Sequence, residues 1–143
     1  MKPPSHPDHD LTDALVPAAF VTMAALNKIG AENDLSLTLI RVLGILRDRN
    51  PRMTELAGYL GLEKQTMSGL ISRAEKKGLV TRAPNTEDGR ATDVFLTKEG
   101  ANLVERLYAQ IQQALAPLTE QLCASDQRQL QELLQRMLES RKA

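Results

Sequence analysis

Apolar residues recur at helical spacing near the start of the chain, over residues 11–30. Asp10 or Thr12 can cap this predicted helix, because both side chains accept a hydrogen bond from a free backbone N–H. Pro17 lies inside the pattern, so it should kink the helix or mark a later start. The apolar stripe consists of Leu11, Leu15, Ala19, Met23 and Leu26.

A second helix is expected after Ser36, which is a good N-cap. It should stop before Asn50-Pro51, because the residue that precedes a proline avoids helical geometry. Its apolar stripe consists of Leu39, Ile40, Leu43 and Leu46.

The next segment has two short amphipathic stretches on either side of a glycine. Thr54 can cap the first helix, and Gly61 gives the backbone the freedom for a tight turn. The first helix would bury Leu56, Ala57 and Leu60. A further helix over about 63–77 should end at Gly78. Two short helices joined by a glycine turn are typical of a helix-turn-helix.

The spacing of apolar residues then changes. Residues 79–83 and 92–96 form two short stretches with β-branched side chains, and the turn-forming sequence PNTEDGR lies between them. This pattern predicts a β-hairpin. A hairpin that directly follows a helix-turn-helix is the wing of a winged helix.

Two helices are predicted after the hairpin. Thr97 can cap a long helix that Pro117 should end or bend, and Ser125 can cap the last helix. Their apolar positions are Leu103, Leu107 and Ile111 in the first, and Leu130, Leu133, Leu134, Met137 and Leu138 in the second. Stripes this apolar at both ends of a small chain predict an obligate homodimer.

These elements predict a mainly α fold with a small β-wing, namely a winged helix-turn-helix domain plus N- and C-terminal dimerisation helices. We assign residues 1–10 to a disordered leader and 11–143 to a single domain. Within that domain the winged core spans about 36–97, and the dimerisation helices span about 11–30 and 98–141.

Charge is distributed unevenly along the chain, although the net charge is zero. Residues 47–90 carry nine basic and six acidic side chains, which makes the middle of the chain positive. Phosphate binding depends on such local patches more than on the total charge.

Composition narrows the class of protein. We found no apolar run as long as a membrane span, and we expect a cytoplasmic protein with no membrane partner. Cys123 is the single cysteine, which excludes an internal disulfide, and we interpret it as a small buried hydrophobe. His6 and His9 lie in the leader, and no phosphate loop, nucleophile elbow or metal-ligand cluster is recognisable. We therefore expect neither an enzyme nor a cofactor.

The helix predicted over 63–77 has an unusual polar face. Its core-facing residues are Met67, Leu70, Ile71 and Ala74, and its opposite face shows Gln65, Ser68, Gly69, Ser72 and Lys76. Small polar side chains let a helix enter the major groove of DNA, where a glutamine can bond an adenine edge in two places. A solvated surface helix is the alternative interpretation. We predict that base edges are read by Gln65, Thr66 and Ser68, and that phosphates are contacted by Lys64, Arg73 and Arg82.

The tip of the hairpin carries one cation, Arg90. An arginine on a wing can insert into the minor groove, where the potential is negative. Asp88 lies two residues earlier and could orient the guanidinium. A mobile surface charge is the alternative for Arg90. The complete set of candidate DNA-binding residues is Thr54, Lys64, Gln65, Thr66, Ser68, Ser72, Arg73, Arg82, Asp88 and Arg90.

Residues 54–100 resemble the multiple-antibiotic-resistance regulator (MarR) family. The resemblance rests on the segments LAGYLGLEKQTMSGLISRAEKKGLVTR, NTEDGRA and FLTKEG. They follow the family's order of a helix-turn-helix, a GLV.R strand, a D.R wing tip and an LT..G helix start. The resemblance implies a transcription regulator, expected to be a repressor, that binds pseudo-palindromic promoter DNA as a homodimer. It also implies dimerisation through the first and the last two helices.

The resemblance further implies that a small phenolic or other aromatic effector, or oxidation of a cysteine, releases the DNA. An effector pocket of that kind would lie between the dimer helices and the winged domain. It would be lined by Leu39, Leu43 and Leu46, with Arg41 or Arg47 facing an acidic group; a filled core is the alternative.

The chain departs from the family pattern at three positions. Glu63 stands where a serine usually caps the recognition helix, Gly69 replaces a larger polar or basic residue, and Gly89 replaces the first of two consecutive arginines. Two other functions are alternatives to a DNA-binding regulator that responds to an effector. One is a degenerate winged-helix dimer that binds protein, against which the retained cations argue; the other is an oxidation-sensing regulator that uses Cys123.

Overall fold

The computed structural model describes residues 10–139, which form six α-helices and one two-stranded sheet. This is the predicted mainly α fold with a small β-wing. The predicted leader lies outside the described residues except for Asp10, as do His6 and His9.

Helix α1 (Leu11–Glu32) begins at the predicted cap. The Asp10 carboxylate accepts a hydrogen bond from the backbone N–H of Asp13, whose own carboxylate accepts one from the N–H of Asp10. The helix continues through Pro17, so the later start that we considered does not occur. In the single chain only the C-terminal end of α1 is buried, at Ile29 and Gly30.

Helix α1 is also long and apolar enough to cross a membrane, by length and composition alone. The expectation that no segment has this property was wrong, because the helix has no charged side chain between Asp13 and Lys28. Its apolar side chains are exposed in the single chain, where Leu11 and Phe20 are about two-thirds accessible.

Three successive helices follow the Ser36 cap, namely α2 (Leu37–Asp48), α3 (Met53–Leu60) and α4 (Lys64–Lys76), and the last two of them form the helix-turn-helix. Gly61 adopts φ +65°, the left-handed conformation that the turn between α3 and α4 requires. The prediction that Thr54 caps α3 was wrong. The helix begins at Met53, where the Glu55 carboxylate accepts the backbone N–H of Arg52, so Thr54 lies in the first turn.

The wing is an antiparallel hairpin of β1 (Val80–Pro84) and β2 (Thr92–Leu96), in which Val80 pairs with Leu96 and Pro84 with Thr92. The attachment of the wing to the start of α3 was not predicted from the sequence. Arg52 forms a β-bridge with Asp93, and the N–H of Val94 donates to the carbonyl of Pro51. The wing is therefore held at its base by the segment that leads into the helix-turn-helix.

Helix α5 (Lys98–Thr119) begins at the predicted cap, since Thr97 accepts the N–H of Gly100. A Cβ built on Gly100 would lie 1.9 Å from the carbonyl oxygen of Leu79, so only glycine permits this close approach of helix and strand. Pro117 lies in the last turn of α5, in accord with its predicted role of ending the helix.

Helix α6 (Ala124–Glu139) starts one residue before Ser125, so the prediction that Ser125 caps it was wrong. The N–H of Gln127 bonds instead to the carbonyl of Cys123. Cys123 is exposed, which also contradicts its interpretation as a buried hydrophobe, because the α5–α6 turn packs against no core within the described chain.

One hydrophobic core holds the chain together, with α2 at its centre. Its largest fully buried side chains are Val42, Leu43, Leu56, Met67, Ile71, Val94 and Val104. By contrast, none of the described residues of α6 is buried in the single chain.

Candidate nucleic-acid interface

Helix α4 is oriented as its polar face predicted. Met67, Ile71 and Ala74 are fully buried, and Lys64, Gln65 and Thr66 are exposed at its N-terminal end. Arg73 is exposed about two turns further along. The first turn therefore presents one cation and two hydrogen-bonding side chains to the exterior.

Two serines on α4 are not free surface residues. The guanidinium of Arg82, on β1, donates to the Ser72 hydroxyl at 2.6 Å and to the Ser68 hydroxyl at 3.4 Å. The same guanidinium bonds the Glu75 carboxylate through Nε at 2.8 Å and Nη2 at 2.7 Å. Arg82 was predicted to contact a phosphate, but its side chain is engaged with α4.

The wing tip is a structured turn. The Asn85 side-chain oxygen accepts the N–H groups of Glu87 and Asp88, and its amide donates to Asp93. The Asp88 carboxylate accepts the backbone N–H of Arg90 at 3.1 Å and approaches its Nε at 3.4 Å. The Arg90 side chain is 96% exposed, so its outer nitrogens face solvent beyond this contact.

A concave surface of about 280 Å³ lies between α3, α4 and the wing. Among its lining residues are six of the predicted site residues: Thr54, Lys64, Ser68, Arg82, Asp88 and Arg90. We refer to this surface as the wing groove. Gln65, Thr66, Ser72 and Arg73 do not line it and lie along the neighbouring α4.

The wing groove contains a cation that the sequence analysis missed. Arg52 lines it beside Lys64 and Arg90, and its backbone pairs with Asp93 of the wing. The available signal was its position directly before the first helix of the helix-turn-helix. Four cations and one acid therefore surround this concave surface, which gives it the charge that a phosphate backbone requires.

A second, larger cavity of about 530 Å³ lies between α1, α2, the end of α3, and α5. Most of its lining is apolar, and the polar side chains that reach it are Thr22, Thr38, Arg41 and Tyr108. Leu39, Leu43 and Leu46 are all buried in the hydrophobic core, as the alternative of a filled core expects. Leu43 and Arg41 line the cavity as expected, but Leu39, Leu46 and Arg47 do not.

Arg47 instead stacks on the outer face of the cavity wall. Its guanidinium carbon lies 4.0 Å from the centre of the Tyr108 ring, and its Nε is 3.4 Å from the Glu105 carboxylate. These contacts hold the Tyr108 ring in place beside the cavity.

A helix-turn-helix, an attached wing and a cationic groove between them define a winged helix-turn-helix DNA-binding protein. The family model described as "MarR family" matches residues 33–91. The chain is 32% identical over 133 residues to the homoprotocatechuate degradative operon repressor of Escherichia coli, covering 91% of this chain and 89% of that one. The chain belongs to the MarR family of transcription regulators.

Solved structures agree with this assignment. The apo form of MarR from Escherichia coli superposes with a TM-score of 0.74 at 26% identity, over 90% of this chain and 96% of that one. NadR in complex with 4-hydroxyphenylacetate superposes with a TM-score of 0.78 at 22% identity, over 96% and 99% of the two chains. The matched relatives are transcription regulators and not enzymes.

Proposed function

We propose that this protein is a cytoplasmic homodimeric repressor that binds pseudo-palindromic promoter DNA and leaves it when a small aromatic acid binds. The observation that carries the DNA-binding part is the wing groove, where Arg52, Lys64 and Arg90 converge beside the exposed start of α4. In this arrangement α4 enters the major groove and Arg90 reaches the adjacent minor groove.

The homodimer is supported by the apolar faces of α1 and α6, which the single chain leaves exposed. In α6 these are Leu130, Leu133, Leu134, Met137 and Leu138, each at least 37% accessible. Most helices in proteins are stabilised by packing of their apolar face, and no described residue of α6 is buried in the single chain, so α6 requires a partner surface. A second copy of the chain supplies that surface and also supplies the second recognition helix for a two-fold related site.

Base reading is assigned to the first turn of α4. Replacement of Gln65 by alanine should weaken binding to a preferred duplex, selected from a random pool by the unmodified protein, by about 1–3 kcal/mol. The expected loss on random-sequence duplex is smaller, because Gln65 is exposed and the hydrogen bonds of its amide to a base edge depend on the base. Fluorescence anisotropy with both duplexes measures the two losses.

Gln112→Ala, on the exposed surface of α5, is the matched control and should bind both duplexes like the parent. Equal losses on the two duplexes in Gln65→Ala would show that this side chain contacts only the DNA backbone.

The effector site is assigned to the 530 Å³ cavity. Its apolar lining suits an aromatic ring, and Arg41 together with the Tyr108 hydroxyl suits a carboxylate or phenol group. Two relatives support this class of ligand. The Escherichia coli relative represses an operon for homoprotocatechuate degradation, and NadR was solved with 4-hydroxyphenylacetate. Binding here would shift α1 and α5 against α2, and thereby the spacing of the two recognition helices.

We expect 4-hydroxyphenylacetate or salicylate at millimolar concentration to raise the melting temperature and to weaken DNA binding. A ligand present at a hundred times its Kd stabilises the folded state by about 2.7 kcal/mol, which corresponds to several degrees. Arg41→Gln should remove most of both effects. Arg106→Gln, which changes a cation on α5 that does not line the cavity, should retain them. Thermal shift and anisotropy titrations test this, and no response of the parent to either acid would overturn the assignment.

A further inference from the structure

Arg82 joins the wing to the recognition helix by polar side-chain contacts. It extends from β1 and meets α4 at Ser68, Ser72 and Glu75, three positions on successive turns of one face. Its side chain is 31% accessible and that of Glu75 is 32%, so the pair is partly withdrawn from solvent. A charge-assisted contact of this geometry is stronger than an exposed surface pair.

The contact determines what the two serine hydroxyls can do. Each of them accepts a hydrogen bond from Arg82, and a hydroxyl that accepts in this way keeps its own proton for another acceptor. Within the described residues, the hydrogen bonds of both hydroxyls are those that they accept from Arg82. Ser68 and Ser72 are thereby held as donors, and the acceptors that DNA presents on the major-groove side are phosphate oxygens, guanine O6 and N7, adenine N7 and thymine O4.

The same contact compensates the negative charge of the Glu75 carboxylate. An unpaired carboxylate on α4 would repel the phosphates that Lys64 and Arg52 attract. Two nitrogens of Arg82 lie within 2.8 Å of Glu75 Oε1, and so compensate this charge inside the fold.

We propose that Arg82 is a positioning residue for sequence recognition: it binds Glu75, fixes the wing against α4 and orients Ser68 and Ser72 as donors toward the DNA. This rests on the proposed function as a DNA-binding regulator, and it differs from the sequence-based assignment of Arg82 to a phosphate. A phosphate contact supports all sequences alike, whereas a positioning residue supports the preferred sequence over others.

Arg82→Lys separates the two roles. Lysine keeps the charge and binds phosphate as a point charge, but it has no planar fork with which to bond Glu75 and Ser72 together. We expect its affinity for the selected duplex to fall about tenfold, with little change on random-sequence duplex and an unchanged salt slope. Glu75→Gln should lower the ratio of the two affinities in the same way, and the double variant should be no worse than Arg82→Lys alone, because both substitutions break one contact.

Hydrogen exchange gives a second readout: the wing segment 80–96 should exchange faster in both variants, while the melting temperature and the dimer remain those of the parent. A merely structural role would lower the melting temperature and leave the ratio of affinities unchanged.

The proposal is overturned if Arg82→Lys binds both duplexes like the parent. It is also overturned if Glu75→Gln binds both duplexes more tightly, since a released Arg82 would then be a phosphate contact. Failure of the parent to select any duplex would refute the proposed function instead.

Discussion

Leu134→Glu is expected to dissociate the protein into monomers and to weaken binding to its preferred duplex more than about a hundredfold. The reason is that Leu134 lies in the middle of the apolar face of α6, where a buried carboxylate without a partner costs several kcal/mol at each of two symmetric positions. A monomer keeps one recognition helix and one wing, so its affinity should approach that of non-specific binding.

Analytical ultracentrifugation and anisotropy measure the two effects. The parent should be a dimer at micromolar concentration, with an interface upward of about 2,000 Å². Gln135→Glu places the same charge on the next residue of α6, away from the apolar face, and should remain a dimer with parental affinity. A parent that sediments as a monomer would contradict the homodimer, and a dimeric Leu134→Glu variant would show that α6 lies outside the interface.

Arg90→Ala should lower affinity for the preferred duplex at least tenfold at moderate salt, about 1.4 kcal/mol. Arg90 is the cation of a tip that also carries Glu87 and Asp88, so without it the tip would repel DNA. The geometry favours a role in binding: Asp88 holds the backbone N–H and Nε of Arg90, which directs the remaining nitrogens of the guanidinium outward. An arginine braced in this way loses less conformational entropy when it enters a minor groove.

The dependence of log K on log salt should also become shallower, by about one ion per subunit if a single phosphate contact is lost. Folding and dimerisation should be unchanged, because the side chain is 96% exposed. Arg106→Ala, which removes an exposed cation from α5, is the control for a general effect of charge. If Arg90→Ala binds like the parent, the wing is only a structural hairpin.

The secondary structure of this protein follows from local signals that sequence periodicity reports well. Ser36 and Thr97 cap their helices as predicted, and Gly61 and Gly78 adopt the left-handed conformation that ends a helix. The predictions that Thr54 and Ser125 cap their helices failed, because each helix begins at least one residue earlier than the predicted cap allows. Helix ends there depend on which backbone groups the neighbouring segment satisfies, for instance the N–H of Arg52 held by Glu55.

Local signals along the chain are enough to predict the class of protein, because the helix-turn-helix, the wing and the apolar face of α4 each depend on residue spacing within a short segment. The side-chain contacts within the site depend on how the elements pack in three dimensions. Arg82 turned out to bond α4 and Arg52 to line the wing groove, and the larger cavity opened between α1, α2 and α5. These contacts join side chains whose separation in space is set by the packing of one element against another. Periodicity describes which face of an element is apolar, but not which partner a charged side chain on the other face will meet.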